Sequence, residues 1–251
     1  VRPLSFNAPN GYFINSKRPF SGNPLNEIDI KKAFDFAYEM CFGSGFHRGH
    51  RSGGQSNRRN GEKFSNTFQG KLAEIALFQF FTSSGLECSP VDFRIMGQNL
   101  WDDSDFVVNG KHINVKSAAF FSNLLLLEEK DWNHKGHYLP NLESGNTYRY
   151  DFFVFIRIKP DIKNILRKNR LFYSDKVGKD ELFGLITAED WFYDIPGFIT
   201  HAIFLQEIIS KKQILPQSAL LNGKTKMDAS NYYIQTGDLN GISEIISSNL
   251  A

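Results

Sequence analysis

A carboxylate, two backbone-rich β segments, an amide and a lysine fall within one short stretch, Asp105-Phe-Val-Val-Asn-Gly-Lys-His-Ile-Asn-Val-Lys116. Mg²⁺ is a hard ion that takes carboxylate, carbonyl and water oxygens and commonly keeps only one or two protein carboxylates. Asp105 is the candidate central ligand, the Asn114 amide oxygen its neighbour, and the Val115 carbonyl a further oxygen donor. Lys116, a compact point charge, suits orienting or deprotonating a water and stabilising charge that develops on phosphorus. Glu74, upstream, is the candidate holder of a metal-bound water or a second ion. Together these are parts for metal-assisted hydrolysis of a phosphodiester.

The elements that must position them follow from local pattern. Asn109-Gly110 between two runs of β-forming residues is the strongest short-range signal for a two-residue type I′ turn. That turn pairs Val108 with Lys111, Val107 with His112, Phe106 with Ile113 and Asp105 with Asn114. Side chains alternate along a strand and opposed residues share a face. One face then carries Phe106, Val108, Ile113 and Val115 for a core. The other carries Asp105, Asn114 and Lys116, with Asp103 opposite Lys116 if pairing continues. An ordinary wet strand face would also be polar, but the following Ser117-Ala-Ala-Phe-Phe121 points the strand inward. Glu74 is the one charged residue between Lys71 and Glu87. A carboxylate so flanked by apolar residues needs a metal, a cation or a cleft, or else a solvent edge shared with Lys71 and Gln79.

Around these, residues 1–25 read as an irregular arm rich in Pro, Gly, Asn and Ser. Apolar residues at helical spacing predict a helix from Asn26 to about Cys41, ended by Gly43. Asn66 is the expected cap of a second, buried helix running to about Ser83. Strands are expected over Val91–Ile95, in the hairpin, over Tyr150–Ile158, Leu182–Thr187, Ala202–Leu205 and Tyr232–Gln235. Short helical pieces are expected over Leu124–Trp132 and Ala188–Phe192, and a last helix over Ile242–Ser247. Asn133–Thr147 and Asn222–Ser230 read as polar loops. Irregular alternation of helix and strand predicts an α/β fold, a mixed central β-sheet flanked by helices with additional recognition elements.

Composition bounds the class. The chain has 251 residues, a hydrophobic fraction of 41% and 24 phenylalanines, enough to fill a large core. The formal net charge of +2 says nothing on average about nucleic acid, so only local distribution does. Basic residues concentrate between Gly43 and Ser65, where Arg48, Arg51, Arg58, Arg59 and Lys63 face the single acid Glu62. Arg and Lys among Gly, Ser and Asn suit phosphate contacts, and Arg also suits guanine edges. Lys224 and Lys226 are a second, weaker set. Two cysteines, no apolar signal core and no long apolar run lead to the expectation of a cytoplasmic protein without membrane spans. His134-Lys-Gly-His137 lacks further Cys or His nearby and reads as a surface loop.

The elements Gly70-Lys-Leu-Ala-Glu74, Ser104-Asp105 and Asn114-Val-Lys116 resemble the PD-(D/E)XK nuclease superfamily, and within it a type II restriction endonuclease. The resemblance covers about residues 66–120, with Tyr150–Ile158 as the next strand. It implies a restriction-endonuclease-like core, Mg²⁺ as cofactor, double-stranded DNA as partner, and cleavage at a specific sequence leaving 5′-phosphate and 3′-hydroxyl ends. It also allows a homodimer. On this reading 1–251 is one endonuclease domain with its core at about 66–160, and segments 1–65 and 161–251 serve recognition. Two departures stand out. Ser104 replaces the proline of the motif, and Asn114 replaces the acid of its triplet, removing one negative charge. Glu74 or Asp103 are the candidates to restore that charge. The alternatives are a nuclease fold that binds DNA or RNA without cutting, and a repair or recombination nuclease that recognises structure.

Overall fold

The computed structural model describes residues 1–45, 58–95, 106–143, 145 and 147–249. In chain order the elements begin with three short strands, β1 (Ser5–Asn7), β2 (Gly11–Phe13) and β3 (Asn23–Pro24), then helices α1 (Glu27–Phe42) and α2 (Asn60–Ser83). The hairpin β4 (Phe106–Val108) and β5 (Lys111–Ala119) follows, then β6 (Leu124–Glu128), α3 (Leu139–Glu143) and β7 (Phe152–Lys159). Next come α4 (Ile162–Lys168), α5 (Lys179–Thr187), β8 (Phe192–Thr200) and α6 (His201–Ile203), which a π-helical turn continues over Phe204–Ile209. The chain closes with β9 (Ile214–Leu215), β10 (Leu220–Leu221), β11 (Thr225–Lys226), β12 (Asn231–Gln235) and α7 (Ile242–Asn249). It is a mixed α/β protein. Among the described residues no helix is long and apolar enough to cross a membrane.

The central sheet has the order β3-β8-β7-β5-β4 and is mixed: β5 runs parallel to β7, and every other neighbour is antiparallel. The hairpin has the expected turn, with Asn109 at φ 46° and Gly110 at φ 75°, the left-handed pair that a type I′ turn requires. Its register is Phe106 opposite Ile113, Val107 opposite His112 and Val108 opposite Lys111, as the turn dictates. Strand β7, buried along nearly its whole length, reads as a continuous apolar run because both of its faces are covered.

The two faces are covered differently. Helices α1, α2, α4, α5 and α7 share one core with Phe106, Val108 and Ile113 of the hairpin and Phe152, Val154, Ile156 and Ile158 of β7. The other face, with Phe153 and Phe155, meets a second, antiparallel sheet of order β6-β12-β9 through Leu125, Leu127, Tyr232 and Ile234. The far side of that sheet, with Leu124 and Tyr233, packs on a third core under the sheet β1-β2-β10-β11.

Helix α1 forms as expected, capped by the Asn26 side chain, which accepts from the Asp29 amide. Several elements differ from expectation. Helix α2 starts at Asn60, so Asn66 is an interior residue; Phe64 and Phe68, fully buried, extend the apolar stripe upstream of the expected cap. Val91–Ile95 forms no strand. Leu124–Glu128 is a strand, because alternate leucines enter two different cores and a helix there has no polar face to show solvent. Leu182–Thr187 belongs to α5, with Leu182 and Ile186 buried one turn apart. Ala202–Leu205 is helical and starts from a Thr200 cap, and Phe192 opens β8. The N-terminal arm contributes strands to two sheets.

Arg157, buried in β7 beside a register shift against β8, fastens this arrangement. Its guanidinium donates to both Asp194 carboxylate oxygens at 2.9 and 2.5 Å. The remaining N–H groups donate to the carbonyls of Arg18, Pro19 and Ser122 and to Asn123 Oδ1. Removing one member of a buried, hydrogen-bonded pair typically costs about 3–5 kcal/mol, since the other charge stays buried alone. Arg157→Met is therefore expected to lose stability on that scale in urea unfolding, and Arg157→Met with Asp194→Leu to recover much of it. A single variant within ~1 kcal/mol of wild type refutes this role.

Candidate functional site

Strand alternation divides the hairpin residues as the sequence requires. Ile113, Val115 and Ser117 face α2: Ile113 and Val115 join the helical core, and Gln69 of α2 donates to Ser117 Oγ at 3.2 Å. Asn114 and Lys116 face the second sheet, beside Phe153 and Phe155 in register. Asn114 is 4% exposed, and its Oδ1 has no hydrogen-bond partner among the described residues. A buried amide oxygen left without a donor costs about 1–3 kcal/mol, so its presence calls for an explanation. Lys116 is half-buried and lines a cleft of about 300 Å³ between β5 and the edge strand β6. Val115 contributes its backbone between these two residues. Asp105 and Asp103 lie outside the described residues, as do Arg48 and Arg51.

Glu74 stands elsewhere. Its carboxylate accepts from Lys71 Nζ at 2.5 Å, one turn earlier on α2. Lys71 is buried too, donating also to the Asp92 carbonyl at 2.7 Å, with its ammonium 4.5 Å from the Phe36 ring centroid. The structure thus supplies a cation for the isolated carboxylate, and no solvent edge is shared with Lys71. Gln79 is turned to Asp29 of α1 instead. Because α2 covers the opposite face of β5, Glu74 is on the helix across the sheet from Asn114 and Lys116.

The basic residues are spread. Arg59 precedes α2 and pairs with Asp175, whose carboxyl is held below its usual range chiefly by that bond. Arg58 lies beside it in the chain, outside any regular element, and Lys63 is half-buried, donating to Asn60 Oδ1 at 3.4 Å. Lys224 and Lys226 are exposed on the β10–β11 hairpin. That hairpin carries a second Asn-Gly turn, Asn222 at φ 51° and Gly223 at φ 69°. The segment is the polar hairpin before a core strand that its composition suggests, with β12 following it.

Comparison of the chain with protein-family models, with curated proteins and with solved structures finds no match. The site is therefore read from its own chemistry. Among the described residues no group of three or more His, Cys, Asp or Glu side chains converges as a metal site. His134 and His137 belong to a tight turn in which Asn133 Oδ1 accepts the amides of Lys135 and His137. The cleft that Lys116 lines also holds three carboxylates that the sequence reading missed, Glu128, Asp131 and Asp228; Asn114, on the same face of β5, does not line it. An expected helix over Leu124–Trp132 concealed the first two. Read as a strand end followed by a 3₁₀ turn, the same residues sit on the cleft wall.

The Lys71–Glu74 pair is testable by a double-substitution cycle. Lys71→Met leaves Glu74 half-buried without its cation and is expected to cost more than about 2 kcal/mol in chemical denaturation, with most of the loss recovered on adding Glu74→Gln. Additive effects of the two substitutions rule the pairing out.

Proposed function

We propose that the chain is a Mg²⁺-dependent endonuclease acting on double-stranded DNA, of the site-specific kind, with its centre at Asp105, Asn114, Val115 and Lys116. The observation that carries this reading is the hairpin. Its register sets Asn114 and Lys116 on one face, and among the described residues the buried Asn114 amide oxygen has no donor, so a cation would satisfy it. The order of elements adds support: a helix, α2, then the β4–β5 hairpin, then β7 as the next strand beside β5, the order that the resemblance to PD-(D/E)XK nucleases implies.

The donors fit a hard divalent cation, which takes carboxylate, amide and carbonyl oxygens. Asp105, Asn114 and the Val115 carbonyl would hold it, and Mg²⁺ bound there would supply Lewis acidity toward the scissile phosphate and its leaving oxygen. Lys116, two residues on and facing the same way, positions a water for in-line attack and places positive charge where the phosphorus gains negative charge. Glu74, paired with Lys71 on the far face, is left a supporting role in the helix. Arg58, Arg59, Lys63, Lys224 and Lys226 are the described cations proposed for phosphate contacts. A second reading rests on Asn114 itself: without the triplet's acid, the same surface would bind nucleic acid and leave it uncut.

Plasmid cleavage decides between them. With Mg²⁺ or Mn²⁺ the wild-type chain is expected to cut, and Asp105→Ala and Lys116→Ala each to lower the rate by about 10²–10⁴-fold. Salt-sensitive binding with no product under either metal, unchanged by Asp105→Ala, selects the non-cutting reading. Full activity in both variants overturns the centre.

A further inference from the structure

We infer that the aromatic cluster where β5 turns into β6, Phe120 and Phe121 with Phe20 and the ammonium of Lys159, is a stacking surface for the bases of single-stranded DNA. The inference rests on the nucleic-acid reading of the chain for its partner, but the binding it asserts is measured without metal and without cleavage.

Exposure is the first observation. Phe121 is 62% exposed. A single exposed apolar side chain is ordinary, but here the rings are contiguous. Phe121 stands edge-on to Phe120 with centroids 5.2 Å apart, and Phe120 edge-on to Phe20 at 5.9 Å. Phe120 and Phe20 are half-buried, so three rings make one apolar patch that reaches solvent. Such a patch marks an interaction site when polar groups rim it.

The turn that presents the rings is fixed. The Phe120 amide donates to the Ile158 carbonyl at 2.9 Å, and the Ser122 amide closes the turn on the Ala119 carbonyl at 2.8 Å. Asn123 Nδ2 donates to the Phe121 carbonyl at 3.1 Å, and buried Arg157 donates to the Ser122 carbonyl and to Asn123 Oδ1. The same guanidinium lies 5.5 Å from the Phe20 ring centroid. Phe121 is thus held out into water by a tied backbone, and little ordering of that backbone remains to be done when a ligand arrives.

Charge decides the kind of partner. Lys159, exposed at the end of β7, holds its ammonium 5.7 Å from the Phe120 centroid and makes no ion pair among the described residues. The acid nearest to it in the chain, Asp161, caps α4 by accepting from the Lys163 amide. Lys17, also exposed, precedes Phe20 by three residues and adds a second cation to the arm that carries this ring. Aromatic faces beside an available cation suit a ligand with flat π faces joined by negative charge, which is a nucleic-acid strand. Bases within a duplex already cover one another, so unpaired bases are the ones that fit. Lys116 stands four residues before Phe120, about 13 Å at the rise of a β-strand, which sets the surface beside the proposed centre.

Fluorescence anisotropy of a fluorescein-labelled oligothymidylate about twelve nucleotides long, titrated with the intact chain in EDTA at low salt, reads this binding directly. Phe121→Ala is expected to weaken it at least about fivefold and Phe121→Leu equally, whereas Phe121→Trp should bind as wild type or better, because stacking needs a π face. An oligomer of the same length without bases is expected to bind wild type as weakly as oligothymidylate binds Phe121→Ala. Lys159→Ala is expected to lower the slope of log affinity against log salt by about 0.7, one phosphate contact on a single strand. Since Phe121 is exposed, its variants should melt with wild type.

Equal affinity of wild type and Phe121→Ala for oligothymidylate overturns the inference, and so does full binding of the base-free oligomer. Binding lost in Phe121→Ala but kept in Phe121→Leu overturns it as well, assigning the patch to an apolar partner. A chain that binds oligothymidylate through Phe121 yet cuts no duplex keeps the surface and removes the nuclease role. A chain that cuts duplex while Phe121→Ala binds as wild type does the reverse.

Discussion

The guanidinium of Arg157 is the constraint on which the rest of the molecule hangs. A permanently charged group at 1% exposure is tolerable only if every N–H finds an acceptor, and here the fork meets Asp194 and the leftover donors take four further oxygens. Those acceptors come from β8, from the segment at Arg18–Pro19, and from the turn at Ser122–Asn123 between β5 and β6. One side chain therefore ties the central sheet to the N-terminal arm and to the entry of the second sheet. Arg18 repeats the device by donating to the Pro196 and Leu239 carbonyls. Asn123 also accepts from Thr236 Oγ1, which brings the end of β12 into the same network. The wall of the cleft is held in place at the point where β6 begins.

From that frame the two faces of β5 acquire different chemistry. Toward α2 the strand offers Ile113 and Val115 to a large apolar core, with a polar contact from Gln69 to Ser117. Toward the second sheet it offers an amide and a lysine beside Phe153 and Phe155. Glu74 looked from the sequence like a partner for that polar face because a lone acid in an apolar helix demands compensation. The compensation is local. Lys71, one turn away, lies over Phe36 and bonds the Asp92 carbonyl, so the pair stitches the irregular segment after α2 to the helix.

The parts of the fold visible in the sequence are those decided by neighbours along the chain. The Asn109-Gly110 turn fixed a register without reference to anything distant, and the Asn26 cap marked the start of α1 in the same way. What the sequence concealed was decided by neighbours across the fold. Four consecutive leucines carry a helix former's propensity, yet their conformation is set by lying between two cores, which no local window contains. Strand β8, interrupted by Pro196 and Gly197, has a broken β pattern; Gly197 at φ 148° lies against the Asn240 carbonyl, where any Cβ would collide. The candidate site was legible in the same proportion. Asn114 and Lys116 follow from the hairpin alone, whereas Glu128 and Asp131 come to the cleft through a sheet-to-sheet packing that only the folded chain reveals.

That packing also gives a physical reason for an amide at position 114. The side chain is closed in beside Phe153, and a carboxylate there would carry its full desolvation cost whenever no cation was bound. An amide presents an oxygen of similar reach and no net charge, so the empty fold loses only one unmade hydrogen bond. Glu128, at the edge of the second sheet, carries its charge at lower cost, because Lys130 reaches its carboxylate at 3.3 Å from the solvent side. On this argument an amide suits position 114, in a tightly covered sheet, better than an acid does.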